Sequence, residues 1–180
     1  MRNNSVSVDV VRGLDQWFAA HAVRAVVYVG EQDYGFAEEF DGGDLTGASH
    51  IIAREQGEPV GACRIRWFAE FAKLERVAVK RAHRSGHISR ALWRAASELA
   101  ARKGYRYMLG HLERSLLPFW ARLGDFKPRD GRETYSINGR EFVEAIAELA
   151  PHPRAISLAS PPTALLDGDA LMGWPMARAS

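Results

Sequence analysis

Between Val77 and Leu92 the chain reads VAVKRAHRSGHISRAL: an apolar run with β-branched residues, a dense basic turn, then apolar residues at helical spacing. No other feature constrains the fold as strongly. Ile88, Leu92, Ala96 and Leu99 recur at i, i+4, i+8 and i+11, one face of a helix, and Lys103-Gly104 supplies its stop. The run after it, YRYMLGHL at 105–112, reads as a strand. Strand, crossover helix and strand place the second strand parallel to the first.

The remaining elements read mainly as strands that can pair antiparallel. SVSVDVV is a first strand, and Leu14, Trp17, Phe18, Ala22, Ala25 and Val29 predict a helix over 14–29. The acidic stretch at 30–50, rich in Gly and Asp, reads as loop. HIIAREQ and PVGACRIRWF form a hairpin across GEP, and AKLERVAV is a fourth strand. RSLLPFWARLG is a short helix, and the segment from Phe126 to Leu149 a terminal hairpin. The expected class is α+β, with a mixed, mostly antiparallel central sheet of six to seven strands flanked by helices. At 180 residues the chain suits one core domain, taken as 1–150. Residues 151–180 hold five prolines in thirty positions and no sustained period, so they form a tail that packs on the domain or on a partner. Its Leu165, Leu166, Leu171 and Trp174 suggest a homodimer contact.

Charge and composition exclude several classes. A net charge of +2 is too small to mark a nucleic-acid binder. Twenty of the 24 basic residues are arginine, many between Arg64 and Arg106, which predicts a local positive surface. The single cysteine, Cys63, excludes an internal disulfide, fits a reducing compartment and reads as a core residue. The N-terminus lacks an apolar signal region, and no run reaches the ~18 apolar residues of a membrane span, so a cytoplasmic location is expected. There is no Gly-x-Ser-x-Gly elbow, Walker loop or His-Glu-x-x-His, and the histidines show no zinc spacing, so no metal is expected. Trp17, Trp67 and Trp93 read as core or ligand-wall residues.

A basic turn that opens a helix can hold a phosphate, because the first backbone N–H groups have no partner within the helix and carry the positive end of its dipole. Arg84, Ser85, Gly86, His87, Ile88 and Ser89 occupy the turn, with Lys80, Arg81 and Arg90 around it. The segment resembles the acyl-CoA-binding motif of the GNAT superfamily of N-acetyltransferases, Arg/Gln-x-x-Gly-x-Gly/Ala after a strand. Arg84 matches the first position, while His87 and Ser89 stand where the motif has its small residues. The acidic stretch is similar to the ElaA-type branch of that superfamily. The matching residues are Arg24, Val27, Tyr28, Glu31, Gln32, Tyr34, Asp41, Gly42, Asp44, Leu45, Thr46, Gly47 and His50. A looser resemblance, through Glu39, Asp41, Asp44, Arg64 and Arg66, is to the acyl-homoserine-lactone synthases, which take acyl groups from an acyl carrier protein.

These resemblances imply transfer of an acetyl or short acyl group from acetyl-CoA, or another acyl-CoA, to a small-molecule primary amine. The alternatives are a carrier-protein-dependent acyltransferase and a binding module that has lost catalysis. The cofactor-binding set implied is Val77, Ala78, Val79, Arg84, Ser85, Gly86, His87, Ile88, Ser89, Arg90, Phe119 and Trp120. A backbone N–H near Val77 would polarise the thioester carbonyl. Glu75 is the candidate base, or else an exposed strand residue paired with Arg76. Arg24, Tyr28, Glu39, Asp41, Asp44 and Arg64 form the candidate substrate-binding set, their carboxylates suited to a cationic amine or else serving as turn-formers and caps. The family's Tyr on the short helix is replaced by Trp120 in Phe119-Trp120, so either the thiolate leaves unassisted or His111 acts as acid. The family's LGF is lengthened here to LGDF.

Overall fold

A computed structural model describes residues 5–166. Helix α1 (Leu14–Arg24) follows β1 (Val6–Val10) and continues as a seven-residue π-helix, Ala25–Glu31. Two short helical turns, α2 (Phe36–Glu39) and a 3-10 turn at Gly43–Leu45, interrupt the acidic stretch, which was expected to be wholly loop. Then come β2 (Ser49–Glu55), β3 (Glu58–Trp67), β4 (Ala72–Val79), α3 (His87–Arg102), β5 (Tyr107–Glu113), α4 (Leu117–Gly124), β6 (Lys127–Pro128), β7 (Tyr135–Ile137), β8 (Arg140–Glu148) and α5 (Pro162–Leu166).

The strands make one open sheet in the order β1-β2-β3-β4-β5-β8-β6, with β7 paired to β8. Every pairing is antiparallel except β4 with β5, the parallel pair that the crossover requires. The sheet has eight strands rather than six or seven, because the terminal hairpin breaks into the short strands β6 and β7 on either side of a loop. Two-residue turns with positive φ close the hairpins: Gln56-Gly57 (53° and 86°) between β2 and β3, and Asn138-Gly139 (49° and 74°) between β7 and β8. The first turn lies one residue earlier than the GEP reading placed it.

Both faces of the sheet are covered. On one face Ile51, Ala53, Cys63 and Ile65 pack with Ile88, Leu92, Ala96 and Leu99 of α3. On the other, Ile52, Ala62 and Ala78 meet Ala20, Val23 and Val27 of α1 and its π-helical extension. Burial on both faces is why β2 reads as a nearly continuous apolar run. Gly61 marks the closest approach of α3, since a Cβ there would lie 2.6 Å from Ile88 Cγ2. Cys63 is wholly buried, and burial pushes its thiol up to about 12, so it is a core residue as expected.

The α1 face differs from its sequence reading. Leu14 and Phe18 are exposed, whereas His21 and Arg24 are buried with Ala20 and Val23. The helix has given part of its buried stripe to charged groups that find partners inside. Early in the tail, Ile156 N donates to Arg102 O (2.7 Å) at the end of α3. Leu171 and Trp174, on which a dimer contact was expected in part, lie outside the described residues.

Candidate active site

Strand β4 leaves β5 soon after it joins it. The two pair only through Ala72, Lys73 and Leu74, opposite Met108, Leu109 and Gly110. Past Leu74, β4 bulges against β3: its register shifts between Ala62 and Arg64, and Arg76 takes a left-handed conformation (φ 51°). A bulge of this kind bends a strand and re-aims its side chains. Arg76 is held there by Glu38 O (2.7 Å), Glu39 Oε2 (2.9 Å) and Asp41 Oδ2 (3.0 Å). The gap between the diverging strands is a wedge of about 140 Å³, lined by Leu74, Val77, Leu112, Leu116 and Trp120 among others. Beside it lies a cavity of about 290 Å³ lined by Arg66, Lys73, Tyr135 and Ile137. Tyr28, Tyr34, Glu75, Arg76, His111 and Phe142 line both. The Tyr28 hydroxyl donates to Val77 O (3.0 Å), tying the π-helix to the bulged strand.

Beneath the cavity is a buried ionic network. Arg24, fully buried, bonds Glu39 Oε1 (2.5 Å) and both oxygens of Asp44. Arg64, also buried, bonds Asp41 (2.7 Å), Asp44 (3.1 Å) and Glu75 (2.6 Å). Hydrogen bonds from Arg64 hold the Asp41 carboxyl far below its ordinary value. Burial pushes Asp44 upward, but bonds from His21 and Arg24 overcome this and keep it ionised. Asp41 Oδ1 also accepts from Gly43 N (2.9 Å), so it forms a turn as well as an ion pair. Of the candidate substrate-binding set, Arg24 and Glu39 are therefore turned wholly inward and Asp44 almost so. Tyr28, Asp41 and Arg64 border the open space.

His50 sits against this network with neither ring nitrogen hydrogen-bonded. Burial depresses its pKa to about 4 from 6.5. The unfolded chain therefore takes up this proton first, and stability is full above about pH 6.5. As pH falls towards 4, about 3 kcal/mol is lost. The depressed aspartates act only below their ordinary 3.8, so the two windows separate. Denaturant melts at about pH 7.5 and 4.5 should show this loss, and His50→Gln should remove most of it. Equal pH dependence in the two proteins would refute the assignment. His21, Asp44 and His50 bring their ligand atoms within 4.8 Å of one another, a grouping that the histidine spacing did not reveal. Two guanidiniums on Asp44 oppose a cation there.

The basic turn lies at the far end of β4. Gly86 caps α3 in a left-handed conformation (φ 91°), and the helix begins at His87. Arg84 Nε donates to Val79 O (2.8 Å) and its Nη2 bonds Glu31, the last residue of the π-helix. His87, where the motif has glycine, contacts Glu55 Oε1 (3.0 Å) and Ser85 Oγ, and Glu55 also holds His83. Ser89 and Arg90 lie in the first turn of α3. The side chains of Ala78 and Ile88 are in the core, leaving only their backbone for a ligand.

Residues 14–124, which include the splayed strands, the bulge and the helix-capping turn, match the model of the acetyltransferase (GNAT) family. The chain belongs to that family. An uncharacterized N-acetyltransferase of Bacillus subtilis, YjcF, is 31% identical over 116 residues, which is 64% of this chain and 81% of the relative. ElaA of Escherichia coli, 24% identical, superposes with a TM-score of 0.68 over 78% of this chain and 98% of its own. BjaI, a CoA-dependent acyl-homoserine lactone synthase solved with SAM and isopentyl-CoA, shares the fold at 14% identity (TM-score 0.66; 81% of this chain and 84% of that one).

Within the GNAT frame, Trp120 lines the wedge, whereas Phe119 packs on the core and edge-on to Trp120. The added Asp125 ends α4 in a left-handed conformation (φ 54°), and Phe126 still enters the core between Trp93 and Trp120. Glu75 is not exposed and does not pair with Arg76. It bonds Arg64 and Lys73 (2.6 Å each), which outweigh its burial and keep it ionised, leaving it a weak base. His111 is half-exposed, and burial with the nearby Lys73 charge holds its pKa below 6.5 against the pull of Glu144. Its ring meets Tyr135 edge-on, and the Tyr135 hydroxyl is buried without a hydrogen bond. Sequence reasoning passed over Tyr135, Lys73 and Arg66 as cavity residues. The alternation in RIR and KLE, which puts Arg64, Arg66, Lys73 and Glu75 on one face, was the available signal.

Proposed function

We propose that the protein transfers an acetyl or short acyl group from acyl-CoA to a primary amine by direct attack in a ternary complex. The observation that carries this reading is the wedge between β4 and β5, with the N-terminus of α3 and Arg84 at the end of the same strand. Arg84, Ser85 and the first N–H groups of α3 would take the pyrophosphate. Gly86 lets the backbone come close, and Arg90 adds charge. Val77 N–H would donate to the thioester carbonyl where negative charge develops. His111, neutral at pH 7, accepts the proton from the attacking amine. The C–N bond forms as the C–S bond breaks. Trp120 has no proton of suitable acidity, so the thiolate departs without help from α4. The small wedge favours a short acyl group over the long chain that a carrier-protein donor would bring.

Isothermal calorimetry with acetyl-CoA and dephospho-CoA tests the donor site. Binding of acetyl-CoA, weakened when the ribose phosphate is missing, is the expected result. No heat from either ligand at high concentration would overturn the CoA reading.

A further inference from the structure

Arg66 and Lys73 stand directly opposite each other in the β3–β4 register. Like charges at such a position are destabilising unless something lies between them. Both line the larger cavity, and among the described residues the one carboxylate the two share is Glu75, whose Oε1 is 2.6 Å from Lys73 Nζ and 3.8 Å from Arg66 Nη1. Glu75 is already bound on its other oxygen by Arg64. Among the described residues the guanidinium of Arg66 makes no hydrogen bond, resting instead 5.2 Å over the Phe68 ring.

The connected network makes the imbalance explicit. Its cations are Arg24, Arg64, Arg66, Lys73 and Arg76, and its carboxylates are Glu39, Asp41, Asp44 and Glu75. Arg24, Arg64 and Arg76 already neutralise Glu39, Asp41 and Asp44, and of these three carboxylates only Asp41 reaches the cavity. The surplus positive charge falls where Arg66 and Lys73 meet the cavity. Across that cavity are the neutral His111 and the unpartnered hydroxyl of Tyr135, a donor with no acceptor.

We propose that the acceptor is a primary amine bearing an anionic group, a carboxylate or a phosphate, which Arg66 and Lys73 bind while the amine is presented to His111. This deepens the acyl-transfer reading and rests on it. It also reverses the expectation that the acidic loop selects a cation.

The test is thiol release from acetyl-CoA with matched amines: phenylalanine against phenethylamine, O-phosphoethanolamine against ethanolamine, and spermidine as a polycation. The anionic member of at least one pair should show kcat/KM about 10- to 100-fold above its neutral partner, and whichever pair responds identifies carboxylate or phosphate. Arg66→Gln should raise KM for that substrate by a similar factor with kcat little changed, and should leave the neutral amine unaffected. Arg66→Lys should restore most of the difference. Preference for neutral amines or spermidine overturns the inference, as does equal loss on both members of a pair. So does absence of turnover of every anionic amine while acetyl-CoA still gives binding heat. Absence of that heat would instead remove the acyl-transfer reading itself.

Discussion

Denaturant titration of the Arg64→Met protein is expected to give an unfolding free energy about 3–5 kcal/mol below that of the parent chain. Arg64 is 1% exposed and bonds Asp41, Asp44 and Glu75 at once. Removing it leaves three carboxylates with much of their compensation gone, two of them nearly buried, and the apolar side chain that replaces it cannot satisfy them. Arg64→Lys should recover only part of the loss, because a single ammonium cannot reproduce the fork that bridges the loop to β4. Arg54→Met is the control. Arg54 is partly exposed and meets Asp9 at 3.4 Å, so its loss should cost less than about 1 kcal/mol. A change at Arg64 no larger than at Arg54 would show that the network contributes little.

The second large effect is on the reaction. His111→Ala should lower kcat by about 10²- to 10⁴-fold and weaken acetyl-CoA binding far less, because the imidazole borders the wedge as well as the cavity but is no part of the basic turn that would hold the pyrophosphate. The pH profile carries the distinguishing information. A base must be neutral, and burial with Lys73 holds His111 below 6.5, so kcat/KM should show a rising limb below 6.5, separate from the second rise at higher pH as the acceptor ammonium loses its own proton. In the variant the lower limb should vanish and the upper one remain. An unchanged kcat would place the base elsewhere, with Tyr135 and Glu75 next to be replaced.

Much of the scaffold was legible because its elements carry unambiguous periods. β4 and the buried face of α3 have one reading each, and the parallel pairing follows from their order. The π-helix was not legible: a turn of 4.4 residues leaves no pattern in seven positions, so the run to Val29 read as one α-helix. The basic turn could be located but not oriented. Nothing in the string RSGH says that His87 leans on Glu55, thirty-two residues earlier. The acidic loop misled for a related reason. A sequence displays charges without their partners, and Glu39, Asp41 and Asp44 looked available until Arg24, Arg64 and Arg76 were seen to occupy them. Tyr135 lay in a segment read only as a terminal hairpin, with no site residue assigned in it.

Arg84 is already engaged by Glu31. A phosphate that reached Arg84 would not meet a bare guanidinium; it would compete with a resident carboxylate. Glu31 ends the helix whose Tyr28 is bonded to β4 at Val77, and Tyr28 lines both the wedge and the cavity beside it. Releasing that carboxylate would free one end of the π-helix that borders the proposed acceptor cavity. On the acyl-transfer reading, in kinetic terms, this coupling would favour ordered addition, with the donor entering before the acceptor.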